Sequence, residues 1–363
     1  MGEVNNPVLK DQTFRFTLFW SFIFILLITF SIGISVSNGQ ASISLEDVFQ
    51  IVIYKISNGN IGHIDNIPPQ ATNIIWFIRF PRVLLAALVG MGLATSGAVM
   101  QAVVQNPLAD PYILGISSGS SLGATFAIII GFGSTGLLSQ FGVGVGAFIG
   151  AMAATITVLV LSSVGGRMTS VKLVLSGSVI SALFGSVSNL IVSIGVYNVE
   201  GIRTLTFWLM GSLASSSWSK LPLIVIVVLI VVGFFMTQSR ILNVMLLGDE
   251  AASTLGVPLG KYRRIYMGLT ALVTGVIVAN SGMIGFVGLI VPHIVRGLFG
   301  SNFKRNLPIT AVFGALFMIW ADLISRVIIK NIELPIGIIT SLIGAPLFIY
   351  IIVHKGYNFG GNE

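Results

Sequence analysis

Ten apolar runs, few of them interrupted by a charge, constrain this chain more than any other feature. They fall at 14–35, 83–104, 113–131, 141–162, 173–193, 221–237, 265–279, 289–299, 309–329 and 337–353. Most approach or exceed about 17 residues, the length at which an apolar helix crosses the hydrocarbon core of a bilayer. Of the 363 residues, 55% are hydrophobic and 9% charged, whereas a soluble domain carries about 25% charged residues. Lipid offers backbone groups no hydrogen bonds, so spans are helices or closed barrels, and runs this long suit helices. The expected fold class is an all-α polytopic membrane protein of about ten transmembrane helices. It is one domain, 1–363, with a membrane-spanning core at 14–353 and a polar loop at 238–264.

Lys10 and Arg15 precede the first run in the manner of a signal peptide. The apolar stretch after them, 16–36, exceeds the 7–15 residues or so of a signal core, so a retained span is expected. The Lys and Arg residues set the orientation. With the N-terminus inside, twelve lie on the cytoplasmic side (10, 15, 167, 172, 240, 261, 263, 264, 296, 304, 305, 355) and seven outside (55, 79, 82, 203, 220, 326, 330). That asymmetry favours both termini in the cytoplasm. It also reads the net charge of +7 as loop charge rather than as a nucleic-acid surface.

Several chemistries are excluded. The chain has no cysteine, and its three histidines, His63, His293 and His354, are far apart. No metal site is expected. No GxxxxGK[ST] phosphate loop occurs, so the chain should not hydrolyse ATP. Paired carboxylates or an activated nucleophile on one face are not evident either, which argues against an enzyme.

The polar loop is over-specified for a connection. Its segment LNVMLLGDEAASTLGVP, 242–258, reads as two short helices. Leu242–Leu247 stops at Gly248. Asp249 then N-caps Glu250–Leu255, which stops at Gly256 with Pro258 beyond. Small apolar residues (Ala251, Ala252, Leu255) would form a contact face for another protein's groove.

The eighth run is too short to span about 30 Å at about 1.5 Å per residue. Asn280-Ser281-Gly282, Gly285 and Gly288 break the chain before it. Irregular backbone at membrane depth belongs inside protein or along a water-filled cavity. Gly282, Gly285, Phe286, Gly288 and Pro292 are therefore pathway candidates; the alternative is a kink in a packed bundle. Arg79-Phe-Pro-Arg82 opens the second run and suits carboxylate docking, or simple snorkelling. Asp322 is an intramembrane carboxylate, a functional candidate by default. Arg326, four residues on, offers it a local ion pair, and that structural pairing is the favoured reading. Asn106, Pro107 and Asp110 shape a rigid turn, and Glu333 and Pro335 punctuate the last span. In the long outer loop, Ser44 and Asp47 resemble a capping box.

In chain order the motifs are RFPR (79–82), SGAVMQ (96–101), QNPLADPYILGISSG (105–119), LSG (175–177) and WLMGS (208–212). They continue with LGDEAASTLGV (247–257), GFVGLIVPHIVR (285–296), ADLISR (321–326) and ELPIGIITSLIGAP (333–346). The series resembles the FecCD family, permease subunits of ABC importers for ferric siderophores, haem and vitamin B12. Ala321 departs from the family's usual glycine, and 1–78 matches poorly.

The resemblance implies a fold like the vitamin B12 importer permease, acting as a transport subunit of a type II importer. Leu247, Gly248, Asp249, Glu250, Ala251, Ala252, Leu255 and Gly256 would form the coupling helices on a dimer of ABC ATPase subunits. ATP and Mg would be bound there, with no cofactor on this chain. Arg79, Arg82 and Arg326 would receive acidic residues of an extracytoplasmic substrate-binding protein. A second permease subunit, identical or paralogous, would complete the path in a bacterial plasma (inner) membrane, in contact with lipid. A ferric siderophore is the leading cargo, with haem or cobalamin as alternatives. A proton-coupled transporter using Asp322 is the more distant rival.

Overall fold

A computed structural model of the chain describes residues 7–41, 43–131, 142–166 and 168–354. Arg167, Lys355, the first residue of the 141–162 run and both chain ends lie outside the described residues.

The fold is all-helical. In chain order the helices are α1 (Pro7–Ser37), α2 (Leu45–Ile56), α3 (Pro69–Val104), α4 (Ile116–Ile130), α5 (Gly142–Ser163), α6 (Ser170–Ile194) and α7 (Val199–Leu209). There follow α8 (Leu221–Thr237), α9 (Ser239–Met245), α10 (Asp249–Thr254), α11 (Leu259–Ser281), α12 (Val287–Phe299), α13 (Phe303–Val327) and α14 (Ile336–His354). Each apolar run of the sequence becomes a helix. Among the described residues, five of them (α3, α5, α6, α11 and α13) are long and apolar enough to cross a membrane alone, and the α8–α9 pair, bent by 66°, makes a sixth. Shorter apolar stretches are offered by 22–37 of α1, by α4, by α12 and by 336–350 of α14. Ser44 caps α2 as expected, accepting from the Asp47 amide at 3.1 Å.

α3 is the central pillar: 83% of its apolar window is buried, against 22% for α6 at the periphery. Glycine makes the central packing possible. A Cβ at Gly97 would fall 1.9 Å from the Gly288 carbonyl oxygen, and one at Gly90 2.0 Å from that of Gly314. Without side chains at these crossings, α3 meets α12 and α13 backbone to backbone, a source of dispersion contact that lipid does not replace.

The chain breaks where the glycines predict. α11 runs through Ser281, and α12 does not begin until Val287. Gly282 turns at φ +66°, where a Cβ would meet the Trp208 carbonyl oxygen. Phe286 takes φ +69° without being glycine, a conformation that costs a bulky residue energy and tends to mark functional sites.

Candidate functional site

Two polar clusters sit at opposite ends of α3. Arg82 lies in the first turn after the π-wound stretch Ile74–Arg79, and Gln105 follows the last residue of α3. With the 22 residues 83–104 between them, the two positions are separated by about 35 Å of helix, enough to cross a hydrocarbon core of about 30 Å.

The Gln105 end holds the 242–258 loop. α9 starts at Ser239, three residues before the expected Leu242, because the bend after Thr237 starts a new helix at once. Gly248 is the N-cap residue of α10, and no side chain caps it. Asp249 is drawn elsewhere. Its carboxylate receives both terminal nitrogens of Arg263, Nη2 at 2.6 Å and Nη1 at 2.9 Å, and Gln105 Nε2 at 2.6 Å. Arg263 is only 1% exposed. It also donates to the carbonyls of Val103 (3.2 Å) and Met168 (2.8 Å) and to Ser170 Oγ (2.8 Å). One guanidinium thus ties α10 to the end of α3, the start of α6 and the start of α11. Such a five-acceptor site needs arginine's planar fork. Gln105 reaches it from a left-handed backbone, φ +54°, and also donates to the Met245 carbonyl at 3.2 Å. The expected contact face is redistributed: Ala252 is buried and Ala251 half-buried, whereas Leu247, Glu250 and Leu255 are exposed, Leu255 by 62%. Gly256, at φ +75°, stops α10.

At the other end lie Arg79, Arg82 and Arg326, buried and partnered within the chain. Arg79 caps the end of α1, donating to the carbonyls of Val36 (2.8 Å), Ser37 (2.9 Å) and Ala41. Asp322, fully buried, accepts Arg82 Nε at 2.8 Å and Arg326 Nε at 3.1 Å. Arg326 adds Ser35 Oγ at 2.7 Å and the carbonyls of Ser35 and Asn38. Arg82 Nη2 pairs with Glu333 at 2.7 Å. The local Asp322–Arg326 pair is present, with Arg82 added. Glu333 is therefore an ion-pair partner and not mere punctuation.

A cavity of about 690 Å³ lies beside the broken segment. Its wall includes Tyr112, Met210, Met283, Gly285, Phe286 and Leu342, with Asp110 the single acidic residue in it. Of the five pathway candidates, Gly285 and Phe286 line it. Gly282, Gly288 and Pro292 do not: Gly282 abuts Trp208, Gly288 abuts Pro111, and Pro292 is buried inside α12. Asp110 has a double place, since it also caps the following turn by accepting the Tyr112 amide at 2.8 Å. Asn106 closes its own turn on the Leu108 amide at 2.9 Å, with Pro107 buried beside it. Pro335 opens α14, its carbonyl accepting the Ile338 amide.

Sequence reasoning missed Arg263, Gln105 and Tyr112. Arg263 counted only as a cytoplasmic charge. It stands between Lys261 and Arg264 at a basic helix start, so nothing local sets it apart until Asp249 folds back 14 residues.

A profile of the FecCD transport family matches residues 25–354. The ABC transporter permease protein YvrB of Bacillus subtilis is 39% identical over 329 residues, covering 90% of this chain and 91% of that protein. The hemin transport system permease protein HmuU of Yersinia pestis is 36% identical, covering 93% and 96%. Other relatives at 34–39% identity are named for cobalamin, molybdate and ferric citrate import. A solved metal-chelate type ABC transporter in an inward-facing conformation superposes with a TM-score of 0.78 at 33% identity, covering 92% of this chain and 98% of that one. With its helices, its broken segment and nearly its whole length matched, the chain belongs to the FecCD transport family, as a multi-pass permease subunit of an ABC importer.

Proposed function

We propose that this permease carries a ferric chelate of the siderophore type into the cytoplasm, powered by an ABC ATPase dimer seated on α9 and α10. The observation that carries the cargo assignment is the wall of the cavity. It is built mostly of Met, Leu, Ile, Phe and Gly residues, with Tyr112, Ser117 and Ser341 among them, around a single carboxylate, Asp110. Such a wall suits a bulky cargo whose metal is already wrapped in its own organic ligand. A bare ion entering there would lose its hydration without replacement ligands. Haem and cobalamin share this chemistry and are the alternatives. A molybdate ion, small and doubly charged, fits the wall less well.

The energy enters at the opposite end from the three arginines. Exposed Leu247 and Leu255 meet the ATPase, and the Arg263–Asp249 clamp passes its movement to α3, α6 and α11. The chain bends at the Gly282–Phe286 break, which gives the bundle two discrete arrangements. A second permease subunit packs against the exposed flank of α6, and a binding protein docks over Arg79, Arg82 and Arg326. In this orientation both termini face the cytoplasm of a bacterium, as the lysine and arginine asymmetry favours.

The test is reconstitution of permease, ATPase and binding protein into proteoliposomes. They are offered ferric hydroxamate, ferric catecholate, haem, cobalamin and molybdate. ATP-dependent uptake of a ferric chelate is expected. Uptake of cobalamin or molybdate alone would overturn the cargo assignment. Uptake driven by a proton gradient without ATP would overturn the coupling scheme.

A further inference from the structure

Arg82 is held by two carboxylates of very different standing. Asp322 is fully buried and shared with Arg326. Glu333 is 40% exposed and reaches Arg82 through a single ion pair at 2.7 Å. Of the two holders Glu333 is the more readily exchanged, because water and salt compete for its exposed carboxylate while Asp322 is shielded from both. Glu333 also sits on a short connection between α13 and α14, in a turn closed by an isolated Ile329–Ile332 bridge with Asn331 at φ +63°. Around it Ile328, Ile329, Ile332 and Lys330 are exposed. An exposed carboxylate on a segment that also exposes three isoleucines and a lysine is the kind of surface a protein partner covers; a free inorganic anion would gain nothing from the isoleucines.

The same segment leads directly to the cavity. The Leu334 amide donates to Ser325, the Ile336 amide to Gly211 and the Gly337 amide to Met210. Met210, Gly337, Ile338, Ser341 and Leu342 then form part of the cavity wall. Whatever moves Glu333 pulls on the first turn of α14.

We propose that Glu333 is a displaceable stand-in for a partner's carboxylate: it occupies Arg82 until an acidic side chain of the docking binding protein exchanges with it, and the released 333–335 segment transmits that exchange to the cavity wall. This rests on the reading that a binding protein docks at this end. The exchange resolves how a buried arginine receives a partner at all. Asp322 is shared between Arg82 and Arg326 and balances only one of the two charges. An under-compensated buried guanidinium is costly, so a second internal carboxylate holds Arg82 between docking events. Because one carboxylate replaces another, the net charge around Arg82 is unchanged, and the penalty for burying it is never incurred.

The test uses the permease–ATPase complex in lipid nanodiscs and its cognate binding protein, with docking followed by interferometry. Glu333→Gln should tighten docking about tenfold, since the competitor is gone, and Arg82→Gln should weaken it. In the double variant the tightening should vanish, because Glu333 acts through Arg82. The chain has no cysteine, so one placed at Ser341 reports on the cavity. Its maleimide labelling should change on docking in the wild type, and in Glu333→Gln without docking. Glu333→Asp, shorter by one methylene, should move both readouts in the same direction to a smaller extent. Weakened or unchanged docking by Glu333→Gln, when the wild type docks, overturns this inference alone. No docking by the wild-type complex overturns the reading beneath it, and the two fall together.

Discussion

Arg263 carries a permanent charge into a site that is 1% exposed and spends all of it on local acceptors. Arg263→Met should lower stability by about 3 kcal/mol, the lower range for breaking a buried pair, because Asp249 keeps some solvent. Thermal unfolding in detergent would check this. Arg263→Lys retains the charge and loses the fork. It should fold, yet move several-fold less cargo per ATP hydrolysed. An unchanged transport-to-hydrolysis ratio would count against the clamp as a transmitter. Asp322 makes a complementary case. With Arg82 and Arg326 both on its carboxylate, Asp322→Asn should destabilise the fold by roughly 3 kcal/mol, and uptake should fall in step with folded protein. Uptake lost at full stability, and only under a proton gradient, would revive the proton-carrier reading. The Asp322–Arg326 pair was legible from its i,i+4 spacing. The Arg82 contact was not, because 240 residues of chain separate the partners.

Among the elements, α10 and α3 depend on different forces. α10 has six residues, too few to be stable alone, and persists because Asp249 is anchored and Ala252 is buried. Its exposed Leu255 takes no part in that anchoring. Leu255→Asp should therefore leave unfolding unchanged while cutting ATP-driven uptake by more than tenfold, measured in proteoliposomes beside basal ATPase activity. α3 depends on close approach. Gly97→Val would drive a side chain into the Gly288 backbone, and loss of monodisperse protein in size-exclusion chromatography is expected. The two capped turns around Gly248 and Gly256 were readable in the sequence. The capping role given to Asp249 was not correct, because a local cap competes with a distant guanidinium and the charge-assisted, bidentate partner is stronger.

For the whole molecule, the arrangement is a pillar with a polar cluster at each end and a cavity beside its break. Leu342→Trp should narrow that cavity and reduce uptake of large chelates more than small ones, read as a shift in relative initial rates. Equal loss for all sizes would place the constriction elsewhere.

The sequence by itself determined the helical membrane class, the order of its helices, the break near Gly282 and the family motifs. The first three follow from local composition and periodicity, which lipid enforces residue by residue; the motifs are legible as residue strings in a fixed order. Only the tertiary structure decided that Arg79, Arg82 and Arg326 are already partnered, that Arg263 holds the 242–258 loop, and that Gly285 and Phe286, but not Gly288, face the cavity. Those outcomes depend on which helix faces meet across tens or hundreds of residues. In a chain where most faces are apolar, hydrophobic patterning barely distinguishes one face from another, so glycine contacts and buried charge pairs make the choice.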